Sequence, residues 1–274
     1  MPVSPDVPEV AAAARRLKDS SRTRVGPILG ALSIDSTGDA NWLRRLLDLA
    51  AKPGTTPWDA QDLTVLQRHH HPAPGATKPT ERGLQPPVSL LSWLLRNFPV
   101  AEHTIRGDDR VASKRRALAR RDPDTISEGL SELRRAGGAR GWQVLEGPTY
   151  PDAYFVTPDA LVVVEGKRTE RTVTTSTSWM PGRHQMLRHL DAAWEIRGAR
   201  AVYGLMIVES ARGSVAVPDL WANAALATTS DEAVRASLPH RGPTEQEGIA
   251  GAFVGVTTWA QIVLTFGLPA EVLE

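Results

Sequence analysis

Apolar residues recur at helical spacing through the first part of the chain. Segments 41–54, 58–71 and 86–98 show this period, and the first ends in a Pro-Gly pair of the kind that stops a helix. The stretch 71–87 is rich in proline and glycine and is predicted to be a loop. No segment alternates apolar and polar residues as a half-buried strand does. We therefore predict a mainly helical N-terminal domain over 1–122, with a role that its pattern does not reveal.

A different pattern begins in the second part of the chain. Segment 122–138 carries an apolar helical stripe, and Thr125 followed by Glu128 predicts a capping box at its start. Segment 141–148 is predicted to be a short strand. Segment 152–167 is predicted to be a β-hairpin, because apolar runs flank a turn that contains proline and aspartate.

The pattern then returns to a helix and a strand. Segment 182–198 has a second apolar helical stripe, and 200–209 is the nearly continuous apolar run of a strand buried on both faces. The order helix, three strands, helix, strand predicts an α/β core with a mixed β-sheet flanked by helices. We assign this core to a second domain over 123–274.

Composition limits the classes of protein that fit. Hydrophobic residues make up 41% and charged residues 23% of the 274 residues, which is ordinary for a soluble globular protein. The chain has no cysteine, which excludes disulfide scaffolds, cysteine nucleophiles and zinc ribbons. The N-terminus has no basic and apolar signal-peptide pattern, and no apolar run approaches the ~18 residues of a membrane span. We expect a cytoplasmic protein without a membrane partner.

Strand parity identifies the polar side chains of the hairpin that can meet. Side chains alternate between faces, so Glu165 and Lys167 share one face of the second strand. A turn at 157–160 with a two- or four-residue loop places position 152 opposite position 165, whereas a three-residue loop shifts the register. With the first kind of loop, Asp152 and Glu165 form a carboxylate pair with Lys167 beside it.

This trio has the composition of a metal-dependent hydrolytic site. Two carboxylates at cross-strand distance repel each other unless a cation lies between them. Ligands that are all oxygen suit Mg²⁺ or Mn²⁺ and not zinc. A neighbouring lysine can polarise a water or neutralise the charge of a phosphoryl transition state. Asp159 is predicted to be a turn residue instead, because six residues of strand separate it from Glu165 by about 20 Å.

The same residues carry a resemblance to a known family. Pro151-Asp152, then twelve residues, then Glu165-Gly166-Lys167 resembles the PD-(D/E)xK nuclease superfamily. That superfamily includes restriction endonucleases, RecB-type nucleases and archaeal Holliday-junction resolvases. Its core of helix, three-stranded meander, helix and strand is similar to the order predicted over 124–209. The resemblance implies a restriction-endonuclease-like fold for that part and leaves 1–122 unassigned.

The resemblance also implies roles for particular residues. Asp152 and Glu165 are expected to bind a divalent metal, Mg²⁺ or Mn²⁺, and Lys167 to assist catalysis. An acidic residue of the first core helix often joins such a site. Glu128 is the candidate ligand on that helix and Glu132 the second choice, and Glu128 has the capping box as its alternative role.

The second core helix contributes one more candidate. Gln185, with His189 four residues later, resembles the Gln-x-x-x-Tyr element of RecB-like members, although the tyrosine is absent. Gln185 is therefore expected to be a catalytic-site residue, with a helix-surface amide as the alternative. Membership of the RecB-like group is left open.

The segment before the predicted nuclease domain is strongly basic. On a helix, Arg106, Arg110 and Lys114 would recur every four residues along one row. Such a row can follow a phosphate backbone, so Lys114, Arg115 and Arg116 are the candidate nucleic-acid contacts. The alternative is a solvated linker helix whose arginines pair with neighbouring aspartates.

Together these features predict a Mg²⁺-dependent nuclease that acts on DNA in preference to RNA. Restriction, phage defence and repair are all compatible with such an enzyme. Two alternatives are a nucleic-acid-binding module that cleaves nothing and an effector-gated nuclease in which 1–122 senses a signal. A homodimer, or a protein partner bound through 1–122, is also left open.

Overall fold

A five-stranded mixed sheet forms the centre of the molecule. The computed structural model describes residues 21–32, 39–51, 54–70, 83–135, 137–170, 172–177 and 179–273. The strands, in spatial order and in chain order, are β1 (Gln67–His70), β2 (Ala153–Val156), β3 (Ala160–Gly166), β4 (Ala201–Val208) and β5 (Phe253–Thr258). The first three strands are antiparallel, and β4 and β5 run parallel to β3. The predicted α/β class with a mixed sheet is confirmed.

Helices cover this sheet. They are α1 (Trp42–Ala50), α2 (Val88–Asn97), α3 (Arg110–Ala119), α4 (Pro123–Leu133), α5 (Gln185–Ile196), α6 (Asp219–Thr228), α7 (Asp231–Ser237), α8 (Pro243–Gly251) and α9 (Trp259–Phe266). A π-helical segment, Ser21–Leu29, precedes them, and 3₁₀ turns span Glu102–Thr104, Gly138–Trp142 and Ala270–Leu273. The helices predicted within 41–54, 86–98, 122–138 and 182–198 are confirmed as α1, α2, α4 and α5. None of the helices in the described ranges is both long enough and apolar enough to cross a bilayer.

The hairpin of β2 and β3 has the predicted register. Ala153 pairs with Val164, and Val156 pairs with Leu161. The turn is closed by Thr157, whose amide donates to the Ala160 carbonyl at 2.9 Å and whose Oγ1 accepts from the Ala160 amide at 2.8 Å. Counting back one position from β2 places Asp152 opposite Glu165, as the four-residue turn predicted.

The strand predicted over 141–148 is wrong. This part of the chain forms the 3₁₀ turn that ends at Trp142, followed by further turns. Trp142 and Leu145 are both fully buried in one cluster with α2. Their spacing of three residues suits a helical turn that buries one side, whereas a strand would have sent them to opposite faces.

The third antiparallel strand comes instead from the segment 58–71, which was predicted to be helical. It is β1, and it pairs with β2 at the edge of the sheet. Its sequence is polar throughout, so no alternation marks it. Arg68 helps to hold this polar strand at the edge of the sheet. Its guanidinium donates to the Leu29 and Leu32 carbonyls at 2.9 and 2.6 Å.

The start of α4 also differs from the prediction. Asp122 is the N-cap, and its Oδ2 accepts from the Thr125 amide at 2.9 Å. Pro123 occupies the first helical position, where its missing amide hydrogen costs nothing. Thr125 therefore lies inside the first turn, and the predicted capping box of Thr125 and Glu128 does not form.

The sheet buries apolar side chains on both faces. One face, with Phe155 and Val162, packs against the Ser21–Leu29 segment, α1 and α9, and the other, with Tyr154 and Val163, packs against α5 and the C-terminal helices. A separate cluster joins α2 and α4 around Trp142. Residues from both sides of position 122 therefore enter the same sheet and core. The division into domains over 1–122 and 123–274 stays a prediction.

Gly255 is a position where a side chain should damage the fold. It lies at the bulge between β4 and β5 with φ +147°, and a Cβ there would stand 2.2 Å from the Ala50 carbonyl oxygen. We expect Gly255→Ala to lower the free energy of unfolding by about 2–4 kcal/mol, because backbone strain and overpacking add. Urea denaturation measures the change.

Gly251→Ala is the matched control. Gly251 ends α8, and a Cβ there would meet no atom within 4 Å. Its free energy of unfolding should stay within about 0.5 kcal/mol of the wild type. Equal stability of the two variants would contradict the tight approach of α1 to β5.

Candidate active site

Glu165 is the centre of a closed set of hydrogen bonds at the end of β3. The residue is only 5% exposed, and its Oε1 accepts from Lys167 Nζ at 2.7 Å and from Gln185 Nε2 at 2.7 Å. Lys167 also donates to Gln185 Oε1 at 3.1 Å, which closes a ring of three side chains. The structure thus brings together Glu165 and Lys167 on one face, as strand parity predicted, and Gln185 from the first turn of α5.

The second oxygen of Glu165 contacts a histidine. His189 Nε2 lies 3.1 Å from Glu165 Oε2, and His189 Nδ1 lies 2.8 Å from Thr149 Oγ1. His189 occupies the position at which the Gln-x-x-x-Tyr element has tyrosine. Thr149 is a site residue that the sequence analysis missed, because its role depends on a loop that packs against α5 and has no signature of its own.

The charges of the site stabilise one another. Burial alone would raise the pKa of Glu165, but the hydrogen bonds and charges of His189 and Lys167 lower it below its usual value. Burial alone would lower the pKa of Lys167, but the carboxylates of Glu165, Glu170 and Asp152 raise it. Both groups of the Glu165–Lys167 pair are therefore ionised at neutral pH.

Asp152 reaches the same end of the hairpin from β2. It is half-buried, and its Oδ2 accepts from the amide of Gly166 at 2.8 Å. Gly166 has to be glycine, since a Cβ there would lie 2.8 Å from atoms of both Trp259 and Val25. Asp152 thus lies at the same end of the hairpin as Glu165, and its charge acts on Lys167. An ion shared by the Asp152 and Glu165 carboxylates stays a prediction.

The donor chemistry of these residues fits a hard divalent ion. Mg²⁺ is usually held by one or two carboxylates, with waters and substrate phosphates as the other ligands. Asp152 and Glu165 can supply those carboxylates. No group of three or more His, Cys, Asp or Glu side chains within the described ranges could hold a metal ion, so an all-protein cage is absent there. An ion at Glu165 must also share the carboxylate with the donors that already contact it.

Glu128, the predicted third ligand, lies on a different surface. It is exposed on α4, a helix that packs against α2, α3 and the 3₁₀ turn before Gln143. The contacts described for the Glu165 carboxylate do not include it. Glu132, the second choice, accepts from the indole of Trp142 at 2.6 Å. Metal binding by Glu128 stays a prediction.

The basic row predicted before the core is interrupted. Because α3 begins at Arg110, Arg106 lies outside the helix and cannot extend the row. The three candidate contacts already have partners within the chain. Lys114 Nζ lies 3.9 Å from the ring centroid of Trp142, and Arg115 donates to the Val144 carbonyl at 2.7 Å. Arg116 pairs with a neighbouring aspartate. Lys114, Arg115 and Arg116 are all half-buried. Their nucleic-acid contacts stay a prediction, and phosphates would have to compete with these intramolecular partners.

A buried ionic cluster anchors the start of α5. The fully buried guanidinium of Arg183 contacts Glu146 Oε1 at 2.9 Å and Asp191 Oδ2 at 2.8 Å. Burial alone would raise the pKa of Asp191, but the charge of Arg183, with His240 and Arg241, lowers it strongly. Leaving one of these charges alone in the interior would cost several kcal/mol. The cluster therefore fixes the first turns of α5, which carry Gln185 and His189.

Comparisons with known proteins give no independent assignment. No family model, no curated protein and no solved structure matches this chain. The contacts and chemistry of the site therefore carry the functional interpretation by themselves.

His184 should make the stability of the fold depend on pH. Its Nδ1 accepts from the Met186 amide at 3.2 Å, and its Nε2 lies 3.1 Å from Thr228 Oγ1. Burial, with the charges of His189 and Lys167, lowers the pKa of His184 to about 4. In the unfolded chain the pKa of this histidine is ~6.5, so between the two pKa values the unfolded state binds a proton that the folded state does not bind. Stability is therefore lost as the pH falls through this range.

We expect this histidine to contribute about 2 kcal/mol to the loss of stability between pH 7 and pH 5. His184→Asn keeps a side chain that can cap α5 but does not titrate. Urea denaturation at both pH values should show a smaller loss in this variant. An equal loss in the wild type and the variant would contradict a buried, neutral His184.

Proposed function

We propose that this protein is a Mg²⁺-dependent nuclease that hydrolyses phosphodiester bonds in DNA. The observation that carries the proposal is the buried ion pair of Glu165 and Lys167, joined by Gln185, at the end of a hairpin that brings Asp152 alongside. Removing a carboxylate and an ammonium from water costs several kcal/mol per ion, so an ordinary strand end would leave both groups exposed. A hydrolytic site gives a reason for burying them.

The order of the strands supports a restriction-endonuclease-like core. In that family a helix precedes a three-stranded antiparallel meander, and a second helix and a further strand follow. Here β1, β2 and β3 form an antiparallel meander, and α5 connects β3 to the parallel strand β4. The departure is that β1 precedes α4 in the chain, so the meander is assembled from distant segments.

Each side chain has a role in the proposed reaction. Asp152 and Glu165 would hold the ion, which when bound stabilises negative charge on a phosphate oxygen and makes a water more acidic. Lys167, whose pKa is raised, keeps its proton at neutral pH and acts as a cation toward the phosphate instead of as a base. Gln185 contacts both Glu165 and Lys167 and so orients them.

One observation favours a gated form of the enzyme over a permanently open one. Glu165 is 5% exposed and Lys167 is 7% exposed. A phosphate on a polymer cannot reach such groups without a local rearrangement. The effector-gated nuclease is therefore the second candidate, and an activator that rearranges the site would be its signature.

The first test concerns the two carboxylates. Asp152→Ala and Glu165→Ala should each abolish Mg²⁺-dependent cleavage, because each removes an oxygen ligand of the ion. The assay uses supercoiled, linear and single-stranded DNA and RNA, with Mg²⁺, with Mn²⁺ and with chelator. The ordering of activity among these substrates also identifies the preferred nucleic acid.

Asp159→Asn is the control for this test. Asp159 is exposed in the hairpin turn, and its Oδ2 accepts from the Asp62 amide at 2.7 Å, a contact that the asparagine oxygen can keep. This variant should cleave like the wild type. Cleavage that survives in Glu165→Ala, or that is lost equally in Asp159→Asn, would contradict the assigned pair.

The second test concerns the amine. Lys167→Ala should reduce the turnover rate by roughly 10²–10³-fold, as loss of one preorganised electrostatic group does. Lys167→Arg should not restore the rate, because a planar guanidinium does not replace a compact ammonium in a buried site. Single-turnover kinetics with saturating Mg²⁺ measures both variants, and full activity in either one would remove Lys167 from the proposed mechanism.

A further inference from the structure

A row of buried hydrogen bonds continues from Glu165 away from Lys167. Glu165 Oε2 meets His189 Nε2 at 3.1 Å, and His189 Nδ1 meets Thr149 Oγ1 at 2.8 Å. His189 is 2% exposed and Thr149 is 3% exposed. The proposed function assigns no role to either residue, although the row of hydrogen bonds ends on the Glu165 carboxylate.

The direction of these hydrogen bonds is fixed at the Glu165 end. An ionised carboxylate only accepts, so the hydrogen between the two groups is carried by His189 Nε2. The hydroxyl of Thr149 can both donate and accept, and it satisfies His189 Nδ1 in either case. The ring is therefore held by a partner at each nitrogen, which leaves it no freedom to turn away from Glu165.

The loop that carries Thr149 is itself clamped to α5. Arg188, the neighbour of His189, donates to Glu146 Oε1 at 3.1 Å, to the Gly147 carbonyl at 2.8 Å and to the Pro148 carbonyl at 3.2 Å. On its other side, the amide and carbonyl of Thr149 pair with Leu84 at 2.9 and 2.8 Å. The hydroxyl of Thr149 is thus fixed relative to the helix that carries His189.

We propose that Thr149 and His189 are positioning residues that hold the Glu165 carboxylate for a divalent ion. This inference rests on the proposed function, because it assigns the orientation of a carboxylate that is expected to be a ligand. With Oε1 held by Lys167 and Gln185 and Oε2 held by His189, the carboxylate has one orientation. Without Thr149 the ring of His189 loses its second anchor, and the carboxylate loses its fixed plane.

The chain offers a matched control for a threonine that anchors a histidine. Thr228 Oγ1 lies 3.1 Å from Nε2 of His184, the residue that caps α5. The hydrogen bonds described for the Glu165 carboxylate involve His189 and do not include His184. Thr149→Val and Thr228→Val each remove a hydroxyl that contacts a buried histidine, and the Thr228 hydroxyl also donates to the Ala224 carbonyl at 2.8 Å. Thr149→Ser restores the hydroxyl at the first pair only.

The experiment measures Mg²⁺ binding to each folded variant by isothermal titration calorimetry without nucleic acid, alongside cleavage. Thr149→Val should weaken Mg²⁺ binding by roughly 10–100-fold, the loss that is typical when a residue that orients a metal ligand is removed. Thr149→Ser should bind within a few-fold of the wild type. Thr228→Val should bind Mg²⁺ like the wild type, even where its urea denaturation midpoint falls as far as that of Thr149→Val.

The outcomes separate this inference from the proposed function. Unchanged Mg²⁺ binding in Thr149→Val, or equal weakening in Thr149→Ser or Thr228→Val, overturns the positioning role while the nuclease proposal stands. A wild-type protein that neither binds Mg²⁺ nor cleaves with it overturns both. Weakened binding confined to Thr149→Val supports the inference.

Discussion

The interaction on which the site depends is the ion pair of Glu165 and Lys167, buried where β3 ends. Two desolvated charges are tolerable in a protein interior only when their remaining hydrogen-bonding positions are filled. Gln185 and His189 fill those of Glu165, and both residues come from α5. The position of α5 over the sheet is therefore as much an electrostatic requirement of the site as a consequence of apolar packing.

The surrounding fold holds this pair from several directions. Trp259 Nε1 donates to the Lys167 carbonyl at 3.2 Å, and the Glu209 amide donates to the same oxygen at 3.1 Å. Glu209 in turn pairs at 2.9 Å with the buried Arg24, which belongs to the N-terminal π-helical segment. Chain segments from both ends of the sequence thus fix the backbone around Lys167. A substitution that changes this packing should displace the Glu165–Lys167 pair, because packed interiors transmit displacements.

The hairpin and its face could be read from the sequence, because strand parity and a four-residue turn fix which side chains are neighbours. Helices α1, α2, α4 and α5 were predictable from their apolar period, and β4 from its nearly continuous apolar run. Strand β1 could not be predicted, since its own residues are polar and Arg68 contacts backbone carbonyls and aromatic rings of distant segments. The strand predicted over 141–148 was wrong because Trp142 and Leu145, three residues apart, are both buried on one side of a turn. The role of Thr149 could not be predicted for a related reason, since its contact with His189 depends on a loop that Arg188 holds against α5.

The proposed function requires that Glu165 belongs to a divalent-metal site and not to a purely structural ion pair. The most direct measurement is the thermal unfolding midpoint of the wild type and of Glu165→Gln over a series of Mg²⁺ concentrations. A ligand that binds only the folded state stabilises it by RT ln(1 + [L]/Kd), so the wild-type midpoint should rise steadily with the logarithm of Mg²⁺ once the ion exceeds its Kd. Glu165→Gln keeps the shape of the side chain but not its charge, and its midpoint should stay flat. A wild-type midpoint that does not respond to Mg²⁺, or an equal rise in Glu165→Gln, would contradict the proposed metal site at Glu165.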